Sequence, residues 1–595
     1  MSKSYYIGVD VGTGSARAAL VDTTGEILAE SVYATTTYRD ERNADIFEQS
    51  TSEIWQSICK ACKDVLAEAK IPKEQVKGIG FDATCSLAVS DLKGEPMSVT
   101  ADEWGVGDAK HNIILWADHR AVEEAATINA SGSMVLKYVG GTMSLEMEIP
   151  KVLWLKKHMP QEYFRQSMFF DLPDFLTYLA TGDLSRSNCS LACKCSYVPP
   201  GVEGSEGWNK EFFHKIGLGE LAEDQFKQVG GIPGKTGLIL TAGQPVGKGV
   251  SAKAAEQLGL AEGTPVGSGV IDAYAGWVGT VGADMPDLKG SEKPSLDESR
   301  HRLAAIAGTS TCHIVQSDKP VFVPGVWGPY LHAVFPGFWM NEGGQSSTGQ
   351  LIDFMIDTHP AADRVKAIAK ERKTNHFSIL QEILETTLKT QRASFLTYLT
   401  KDYYLYPDLH GNRSPLADNQ MKGILVGMKL DKTVTDLALR YFATLEAIAL
   451  QTRQIMDEMN KNGHEITSIF MSGGLVKNPL LMQLLADICN VPIQLPFSHS
   501  ASVVLGSAML GRAAGDEFAA DSSSIADQKT AEDRSHGMKD RLWGIMSEMS
   551  RPGSTVTPKA GEQEKRLLEV KYKIFKQLID SQKLWRQEVS DALAN

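Results

Sequence analysis

The chain has 595 residues, more than one hydrophobic core usually serves, so its length predicts at least two domains. Apolar residues make up 43% and charged residues 22%, and the net charge of -13 excludes a general electrostatic attraction for nucleic acid or anionic lipid. The beginning of the chain lacks the apolar core of a signal peptide, and no stretch of about 18 apolar residues predicts a membrane span. We therefore expect a cytoplasmic protein that binds neither nucleic acid nor membrane.

The first predicted element is a strand, a glycine-rich turn and a second strand over residues 7–22. The turn consists of Gly12, Thr13, Gly14 and Ser15. Glycine permits backbone angles that other residues resist, and exposed amides in such a turn can donate to phosphoryl oxygens. Asp10, just before the turn, can hold a metal ion or its water shell. The pattern favours a phosphate site, and a plain glycine-rich hairpin is the alternative.

Groups of cysteines in the first half raise the question of metal or redox chemistry. Cys59 and Cys62 are spaced as Cys-x-x-Cys, but they lie within an amphipathic helical pattern that favours helix packing. Cys189, Cys193 and Cys195 come closer to a metal spacing, yet no cysteine or histidine pair downstream complements them. Eight cysteines in a chain of this length are too sparse for a disulfide scaffold, so we predict reduced thiols without a zinc site.

Two later segments repeat the layout of the first turn in the second half of the chain. Residues 304–315 predict a strand, a small polar turn and a strand, with Gly308, Thr309 and Ser310 in the turn. Residues 469–479 predict an apolar strand that runs into a glycine turn and then a helix. Two half-molecules that face one nucleotide would explain all three turns. The alternative is that large α/β proteins contain many junctions of strand, glycine and helix.

The three turns belong to a longer set of segments that resembles the FGGY carbohydrate kinases over about residues 5–515. The further matching segments are residues 78–87, 115–121, 267–276, 341–349 and 408–415. The resemblance implies an α/β fold of two actin-like, ribonuclease-H-like domains with the active site in the cleft between them. It also implies ATP and Mg²⁺ as cofactors, a small-molecule sugar substrate and a homodimer. Among the members, residues 84–87 together with residues 116–120 are most similar to the D-ribulokinases.

The same pattern predicts how the chain is divided. An N-terminal kinase domain over residues 1–284 carries the sugar site, the first phosphate turn and the catalytic aspartate, and a nucleotide-binding C-terminal kinase domain covers residues 303–515. Residues 285–302 and 516–563 predict an inserted loop and a variable polar segment, to which we assign no function. Residues 564–595 have the apolar spacing of a helix, which either folds back onto the body or joins a partner.

Phosphoryl transfer to a sugar needs a base, because an alcohol is a poor nucleophile until a carboxylate accepts its proton. Asp272 follows the apolar, glycine-rich residues 266–271 and precedes small residues. We therefore predict its carboxylate at a strand-to-helix junction facing a cleft. A helix N-cap is the alternative role for this aspartate. Its similarity to the general-base motif Asp-Ala of the family favours catalysis.

Candidate sugar-binding groups lie in four segments, because a site that bonds every hydroxyl rejects an analogue with one misplaced. Thr84 and Cys85 follow an apolar strand, and the family pattern puts this turn against one end of the sugar. Lys194 lies in a run too apolar for an idle surface lysine, with a solvated loop lysine as the alternative. Asp118 and Arg120 either reach the cleft or form an internal ion pair that shapes it.

Glu342, in the fourth segment, follows an aromatic run, where a carboxylate needs a bonding partner such as a sugar diol. A buried ion pair is the alternative. By resemblance to ribulokinases, Glu342 and Lys194 both contact a ketopentose. The implied reaction is the ATP-dependent phosphorylation of D-ribulose to D-ribulose 5-phosphate. L-ribulose, D-xylulose and ribitol stay open as substrates, because they differ from it by stereocentres or oxidation state.

The resemblance also assigns residues to the nucleotide and its metal ion. The implied cofactor-binding residues are Gly12, Thr13, Gly14, Ser15, Gly308, Thr309, Ser310, Gln345, Gly349, Gly473, Gly474 and Asn478. Of these, the last three match the adenosine turn of the family. Asp10 and Asp272 are assigned to the water shell of Mg²⁺, an ion that typically keeps several of its waters.

Two functions of another class would use part of the same set. An actin-like, nucleotide-dependent switch would keep Asp10, Gly12 and the later glycine turns. It has no need of Asp272, Lys194 and Glu342 together. A catalytically idle regulator has no reason to retain Asp272. The combination therefore favours a sugar kinase.

Overall fold

A computed structural model describes residues 3–107, 110–285, 294–499, 501–523 and 531–594 of the chain. The strands within these residues are β1 (Tyr5–Val11), β2 (Ser15–Asp22), β3 (Ile27–Ala34), β4 (Tyr38–Arg39), β5 (Phe47–Gln49), β6 (Val76–Ala83), β7 (Leu87–Ser90), β8 (Ile113–Ile114), β9 (Met168–Asp171), β10 (Arg186–Ser187), β11 (Ile239–Leu240), β12 (Val266–Ile271), β13 (Arg302–Ala307), β14 (Thr311–Ser317), β15 (Trp327–Leu331), β16 (Trp339–Gln345), β17 (Tyr404–Tyr406), β18 (Ile424–Val426), β19 (Ser468–Ser472), β20 (Ile493–Leu495) and β21 (Ser554–Val556).

The α-helices within the same residues are α1 (Thr51–Ala69), α2 (Val122–Ala130), α3 (Glu148–His158), α4 (Gln161–Gln166), α5 (Leu172–Thr181), α6 (Asn188–Lys194), α7 (Lys210–Lys215), α8 (Gly219–Glu223), α9 (Ala252–Leu258), α10 (Asp272–Val281), α11 (Gly349–Asp357), α12 (Ala362–Glu371), α13 (His376–Thr390), α14 (Leu396–Leu399), α15 (Val434–Lys461), α16 (Pro479–Cys489), α17 (Ser502–Ser523), α18 (Ala531–Met549) and α19 (Glu562–Ala594). Among the described residues, no helix combines the length and the apolar character needed to cross a membrane.

Two sheets with the same internal order organise the two halves of the molecule. The first has the order β12-β6-β1-β2-β3, and the second contains β20-β19-β13-β14-β16 between the additional edge strands β21 and β15. In each sheet an antiparallel hairpin, β1-β2 or β13-β14, is followed by a parallel neighbour, β6 or β19. The predicted α/β fold of two related domains is therefore confirmed, and so are the two predicted hairpins.

The parallel strands of the first sheet are covered on both faces, as parallel sheets generally are. Side chains alternate between the faces of a strand, so Ile7 and Val9 share one core with Ile54 and Ile58 of α1. Gly8, between them, faces α17 instead. The apolar run of β1 thus reflects burial on two sides, by α1 on one face and by α17, from the far end of the chain, on the other.

Helix α17 lies directly against the backbone of the first sheet. A Cβ atom added to Gly8 would lie 1.9 Å from the carbonyl oxygen of Val504, and one added to Gly80 would lie 2.0 Å from that of Ser507. Glycine is required at these positions because a side chain would fill the gap between strand and helix. Although α17 begins within the segment predicted as the C-terminal domain, it completes the core of the first domain.

Adding a methyl group at this contact is expected to destabilise the protein. The Cβ atom of a Gly80→Ala variant would force α17 away from β6, at a cost of about 1–3 kcal/mol for overpacking. Thermal unfolding should show a lower midpoint for this variant. Gly544→Ala in α18 is the matched control, since its Cβ atom meets no atom within 4 Å. Equal midpoints for the two variants would contradict the close packing of α17.

The segment predicted as variable and polar, residues 516–563, contains regular structure, although residues 524–530 lie outside the described part. Helix α18 buries Leu542 and Met546, and β21 pairs antiparallel with β20 at the edge of the second sheet. Spaced apolar residues in α18 supply the buried face that the overall polar composition concealed. The segment therefore extends both domains, and is more than a surface loop.

Residues 286–293 of the predicted insertion over residues 285–302 lie outside the described part of the chain. The described end of this insertion forms a short 3₁₀-helix, Asp297–His301, that leads into β13. The predicted C-terminal helix is α19, and its buried residues Leu568, Phe575 and Ile579 join the core of the second domain. Of the two alternatives for this helix, the structure therefore contains the one that folds back onto the body.

Candidate active site

Three carboxyl groups meet at the carboxyl ends of the parallel strands β1, β6 and β12. Asp10 pairs in register with Asp82, and Asp272 is the first residue after β12. Ligands bind preferentially at this edge of an α/β sheet. The hydroxyl of Ser507 on α17 donates a hydrogen bond to Asp82. Sequence analysis had predicted Asp10 and Asp272 but missed Asp82, whose only local signal is an acidic residue near the end of a buried strand.

Burial raises the pKa of all three carboxyl groups. Burial, followed by the charge of Asp10, raises the pKa of Asp272 to about 7. Burial is also the main cause that raises the pKa of Asp10, and burial together with the charge of Asp10 holds the pKa of Asp82 well above its usual range. A carboxyl group whose pKa lies near neutrality is matched to accept a proton from a weak acid.

Asp272 begins helix α10, so the predicted strand-to-helix junction is present. The N-cap position belongs to Ile271, and Asp272 is the first helical residue, so the N-cap alternative does not describe it. One of its carboxylate oxygens, Oδ1, accepts a hydrogen bond of 2.7 Å from the backbone N–H of Ala273. This bond fixes the orientation of the carboxylate at the carboxyl end of β12.

The glycines of the first turn differ from the prediction in one respect. Neither Gly12 nor Gly14 has the positive φ that only glycine adopts readily, so backbone freedom does not explain them. A Cβ atom on Gly14 would meet no atom within 4 Å, and the same holds for Gly308 and Gly474 in the later turns. Glycine at these positions leaves open space beside the backbone, which a phosphate-bearing ligand in close contact would need.

The second turn, at the end of β13, adjoins both the start of α11 and the third turn. The backbone N–H of Thr348 donates to the carbonyl of Thr309 at 2.9 Å, and that of Gly349 donates to Gly308 at 3.2 Å. A Cβ atom on Gly473, which has a φ of +91°, would lie 2.4 Å from the carbonyl of Ala307. The structure thus brings together the glycines predicted for the nucleotide in the second domain.

Two side chains predicted for the nucleotide are used internally. The amide nitrogen of Gln345 donates to the carbonyl of Ile448 at 2.9 Å and to Gln451 at 3.1 Å, so this side chain points into the core of its domain. Asn478 caps α16, and its Nδ2 donates to the hydroxyl of Tyr441 at 2.7 Å. These bonds correct the expectation for Gln345, whose side chain packs against α15, and show that the amide group of Asn478 is used by Tyr441 and the start of α16.

Lys194 and Glu342, one from each half of the chain, lie together in a buried cluster of side chains. The Nζ of Lys194 lies 3.8 Å from Oε2 of Glu342 and 4.3 Å from the centre of the Trp327 ring. Lys194 is only 2% exposed, so the alternative of a solvated loop lysine is wrong. The buried ion pair considered for Glu342 is present, yet its Oε2 has no hydrogen-bond partner.

Arg413 and Glu146 belong to the same buried cluster, and neither was assigned a role from the sequence. Arg413 bonds to Oε1 of Glu342, and its guanidinium lies 3.7 Å from Glu146 and 4.0 Å from the centre of the Trp327 ring. Its signal was present, because residues 408–415 matched the family pattern. The buried cluster therefore contains two cations, Lys194 and Arg413, and two carboxylates, Glu342 and Glu146.

The turn after β6 lies beside the first phosphate turn. The backbone N–H of Thr84 donates to the carbonyl of Val11 at 3.0 Å, and the hydroxyl groups of Thr84 and Ser86 lie 3.1 Å apart. Burial raises the pKa of the Cys85 thiol, so Cys85 is uncharged. The turn thus offers a hydroxyl group and a small neutral side chain near the carboxylates.

Asp118 and Arg120 form the internal ion pair that was one of their two alternatives. The Nε of Arg120 donates to Oδ1 of Asp118 at 2.9 Å, and its Nη2 donates to Glu48 at 2.8 Å. The same guanidinium lies over the ring of Trp154. Their neighbour Trp116 donates through Nε1 to the hydroxyl of Thr13 at 3.0 Å, which ties this segment to the first turn.

Comparison with known proteins covers nearly the whole chain. The sequence profile of the FGGY family of carbohydrate kinases matches with its N-terminal domain at residues 5–279 and with its C-terminal domain at residues 303–515. A D-ribulokinase from Saccharomyces cerevisiae is 47% identical over 522 residues, which are 86% of this chain and 72% of that protein. An FGGY carbohydrate kinase domain-containing protein from Homo sapiens is 41% identical over 99% of this chain and 98% of its own length.

Solved structures of lower identity share the fold. A xylulose kinase from Rhodospirillum rubrum superposes with a TM-score of 0.69 at 19% identity, covering 98% of this chain and 99% of that one. A ligand-bound xylulose kinase from Lactobacillus acidophilus gives a TM-score of 0.71 at 18% identity, covering 97% and 98%. The two-domain actin-like architecture is therefore established for this chain.

Proposed function

Because the chain belongs to the FGGY family of carbohydrate kinases, we propose that it phosphorylates D-ribulose to D-ribulose 5-phosphate with ATP as the phosphate donor. The chain is a sugar kinase, and its relatives support a pentulose as the substrate class. The choice of D-ribulose follows the name of the relative that is 47% identical. The single observation that carries the proposal is the carboxylate of Asp272, held by Ala273 beside Asp10, with a pKa near neutrality.

In this proposal Asp272 accepts the proton of the sugar hydroxyl that attacks the γ-phosphoryl group. Its raised pKa brings the carboxylate closer in basicity to the hydroxyl, which favours proton transfer in the transition state. The N–H groups of Gly12 and Gly308 donate within their own turns, to the carbonyls of Ser15 and Ser310, so the phosphoryl oxygens would be received by N–H groups of the turn residues that follow each glycine. Closing the two domains would exclude water, which otherwise competes with the sugar for the phosphoryl group.

Lys194 and Glu342 would orient the pentulose. The free Oε2 of Glu342 can accept from a sugar hydroxyl, and Lys194 can donate to another. Because both groups are buried, a hydroxyl in the wrong position would leave one of them unpaired, which strongly disfavours the analogue. Asp118 and Arg120 would act indirectly, by holding the segment that carries Trp116 against the first turn.

Asp10 and Asp272 fit a role in holding Mg²⁺ through its water shell. Burial raises the pKa of both carboxyl groups, and the charge of Asp10 raises that of Asp272 further, so a nearby cation would stabilise their ionised forms. Within the described residues, no group of three or more histidine, cysteine or acidic side chains is arranged to hold an ion directly. When bound with ATP, Mg²⁺ would neutralise charge that develops on the phosphoryl oxygens.

The open space at the second turn gives a direct prediction for the nucleotide. A Gly308→Val variant should raise the KM for ATP by about tenfold or more, equivalent to about 1.4 kcal/mol, because its side chain would occupy the space beside the turn. Its thermal stability should stay unchanged, since no protein atom lies within 4 Å of the new Cβ. Gly105→Val, at another open glycine, is the control and should retain the normal KM.

The proposed function is tested by sugar-dependent ADP release across D-ribulose, L-ribulose, D-xylulose, L-xylulose, ribitol, glycerol and no sugar. We expect D-ribulose to give the highest kcat/KM by about tenfold or more, a margin of about 1.4 kcal/mol in transition-state binding. A clear preference for another member of the panel would replace D-ribulose while keeping the kinase. Equal ADP release with and without sugars would instead support a nucleotide-dependent switch.

A further inference from the structure

The side chain of Arg413 has no role in the reaction as proposed above, although it belongs to the buried cluster of Lys194 and Glu342. Its loop is held by buried hydrogen bonds on both sides of it. Asn412 donates to Asp408 at 2.7 Å, and the hydroxyl of Ser414 donates to the carbonyl of Gly325 at 3.0 Å. Such a loop fixes where the arginine side chain begins.

Arg413 connects the carboxylate of Glu342 with the other domain. It bonds to Oε1 of Glu342, stacks 4.0 Å from the centre of the Trp327 ring, and lies 3.7 Å from Oε2 of Glu146. Glu342 and Trp327 belong to the C-terminal family match, whereas Glu146 belongs to the N-terminal one. A planar guanidinium can hold two carboxylates and an aromatic face in fixed directions, which a lysine cannot do.

The strand that carries Glu342 is shaped to admit Arg413. A Cβ atom on Gly344 would lie 2.4 Å from Nε and 2.6 Å from Cδ of Arg413. Gly344 does not have a positive φ, so backbone conformation does not require glycine there. The missing side chain therefore provides the space in which Arg413 lies along this face of β16 to reach Glu342.

We infer that Arg413 is the positioning residue of the sugar site, and that Gly344 is glycine in order to admit it. By occupying Oε1 of Glu342, Arg413 leaves Oε2, which has no hydrogen bond, as the oxygen that faces the sugar and Lys194. This inference rests on the proposed function, because it assumes that Glu342 binds the sugar. It adds a residue that selects which carboxylate oxygen does so.

The test measures the KM values of variants with the sugar that gives the wild type its highest kcat/KM. Arg413→Gln and Gly344→Ala should each raise the KM for the sugar by about tenfold or more, with the KM for ATP and kcat within about threefold. Arg413→Lys keeps the charge but not the planar set of N–H donors, so its KM for the sugar should lie between those of the wild type and of Arg413→Gln. Gly344→Ala keeps both charges of the pair, so it serves if Arg413→Gln fails to fold.

Two comparisons separate positioning from general damage. Gly343→Ala adds a methyl group on the opposite face of the same strand, 2.8 Å from Cγ2 of Ile455 and 3.1 Å from Cε of Met459, so it overpacks the core without touching Arg413 and should retain the normal KM for the sugar. In a Glu342→Gln background, Arg413→Gln should raise this KM little further, because either change alone already breaks the ion pair between Arg413 and Glu342. Fully additive effects would overturn the inference.

The same experiment distinguishes failure of the inference from failure of the proposed function. An active wild type whose Arg413→Gln and Gly344→Ala variants keep the normal KM for the sugar would overturn the inference alone. A wild type that phosphorylates no sugar of the panel would overturn the proposed function, and the role of Arg413 with it.

Discussion

Replacing Asp272 with asparagine is expected to lower kcat by about a hundredfold or more, the range for loss of a general base. Asparagine has nearly the same volume and keeps an oxygen that can accept from the N–H of Ala273, so the start of α10 should be preserved. It cannot accept the proton of the sugar hydroxyl. The KM values for ATP and for the sugar should therefore change little, because binding does not need the base.

The effect is measured by steady-state ADP release, with the unfolding temperature as a check on folding. Asp436→Asn is the matched control. It removes a buried carboxylate of the second domain that lies 3.2 Å from His359, outside the site. This control should keep kcat even if its stability falls. Normal turnover by the Asp272→Asn enzyme would overturn the assignment of the base.

Replacing Glu342 with alanine is expected to raise the KM for the sugar by about tenfold to a hundredfold, because a hydrogen bond to a charged group contributes about 1.5–3 kcal/mol. The KM for ATP should change far less, since the glycine turns do not involve Glu342. Removing this carboxylate also leaves Lys194 and Arg413 buried without their shared partner. Part of the effect will therefore appear as a lower unfolding temperature.

Glu446→Ala provides the control for that loss of stability. Glu446 forms a buried ion pair with Lys571 in the second domain, away from the carboxylates of the site. Both variants should unfold at lower temperature, but only Glu342→Ala should weaken sugar binding selectively. An equal rise in the KM values for sugar and ATP would contradict a role for Glu342 in binding the sugar.

Several parts of the molecule were predictable because their signals are local. The hairpins at residues 7–22 and 304–315 follow from alternating apolar residues around a polar turn, and this alternation directly reflects burial on the faces of a strand. Asp272 was predicted at a strand end because an apolar, glycine-rich strand stops at an acidic residue. The burial of Lys194 likewise followed from its apolar neighbours.

Other features depend on contacts between residues far apart in the chain. Asp82 meets Asp10 through strand pairing, Arg413 reaches Glu342 along β16, and α17 returns to cover the first sheet. No local pattern specifies such partners, because burial in a folded chain is decided by elements that meet only after folding. Gln345 shows the same limit, since its family match gave no sign that α15 would bind its amide.

The sequence by itself determined the α/β elements, the glycine turns and the acidic residue at the end of β12, because alternation, turn chemistry and strand termination are properties of short segments. Only the tertiary structure decided which buried charges lie together and which oxygen of Glu342 has no hydrogen bond. It also showed that Gly14, Gly308 and Gly474 have no positive φ and leave open space beside the backbone. The physical reason is that the partners of a charge and the space beside a glycine are set by the surrounding atoms, and these come from distant parts of the chain.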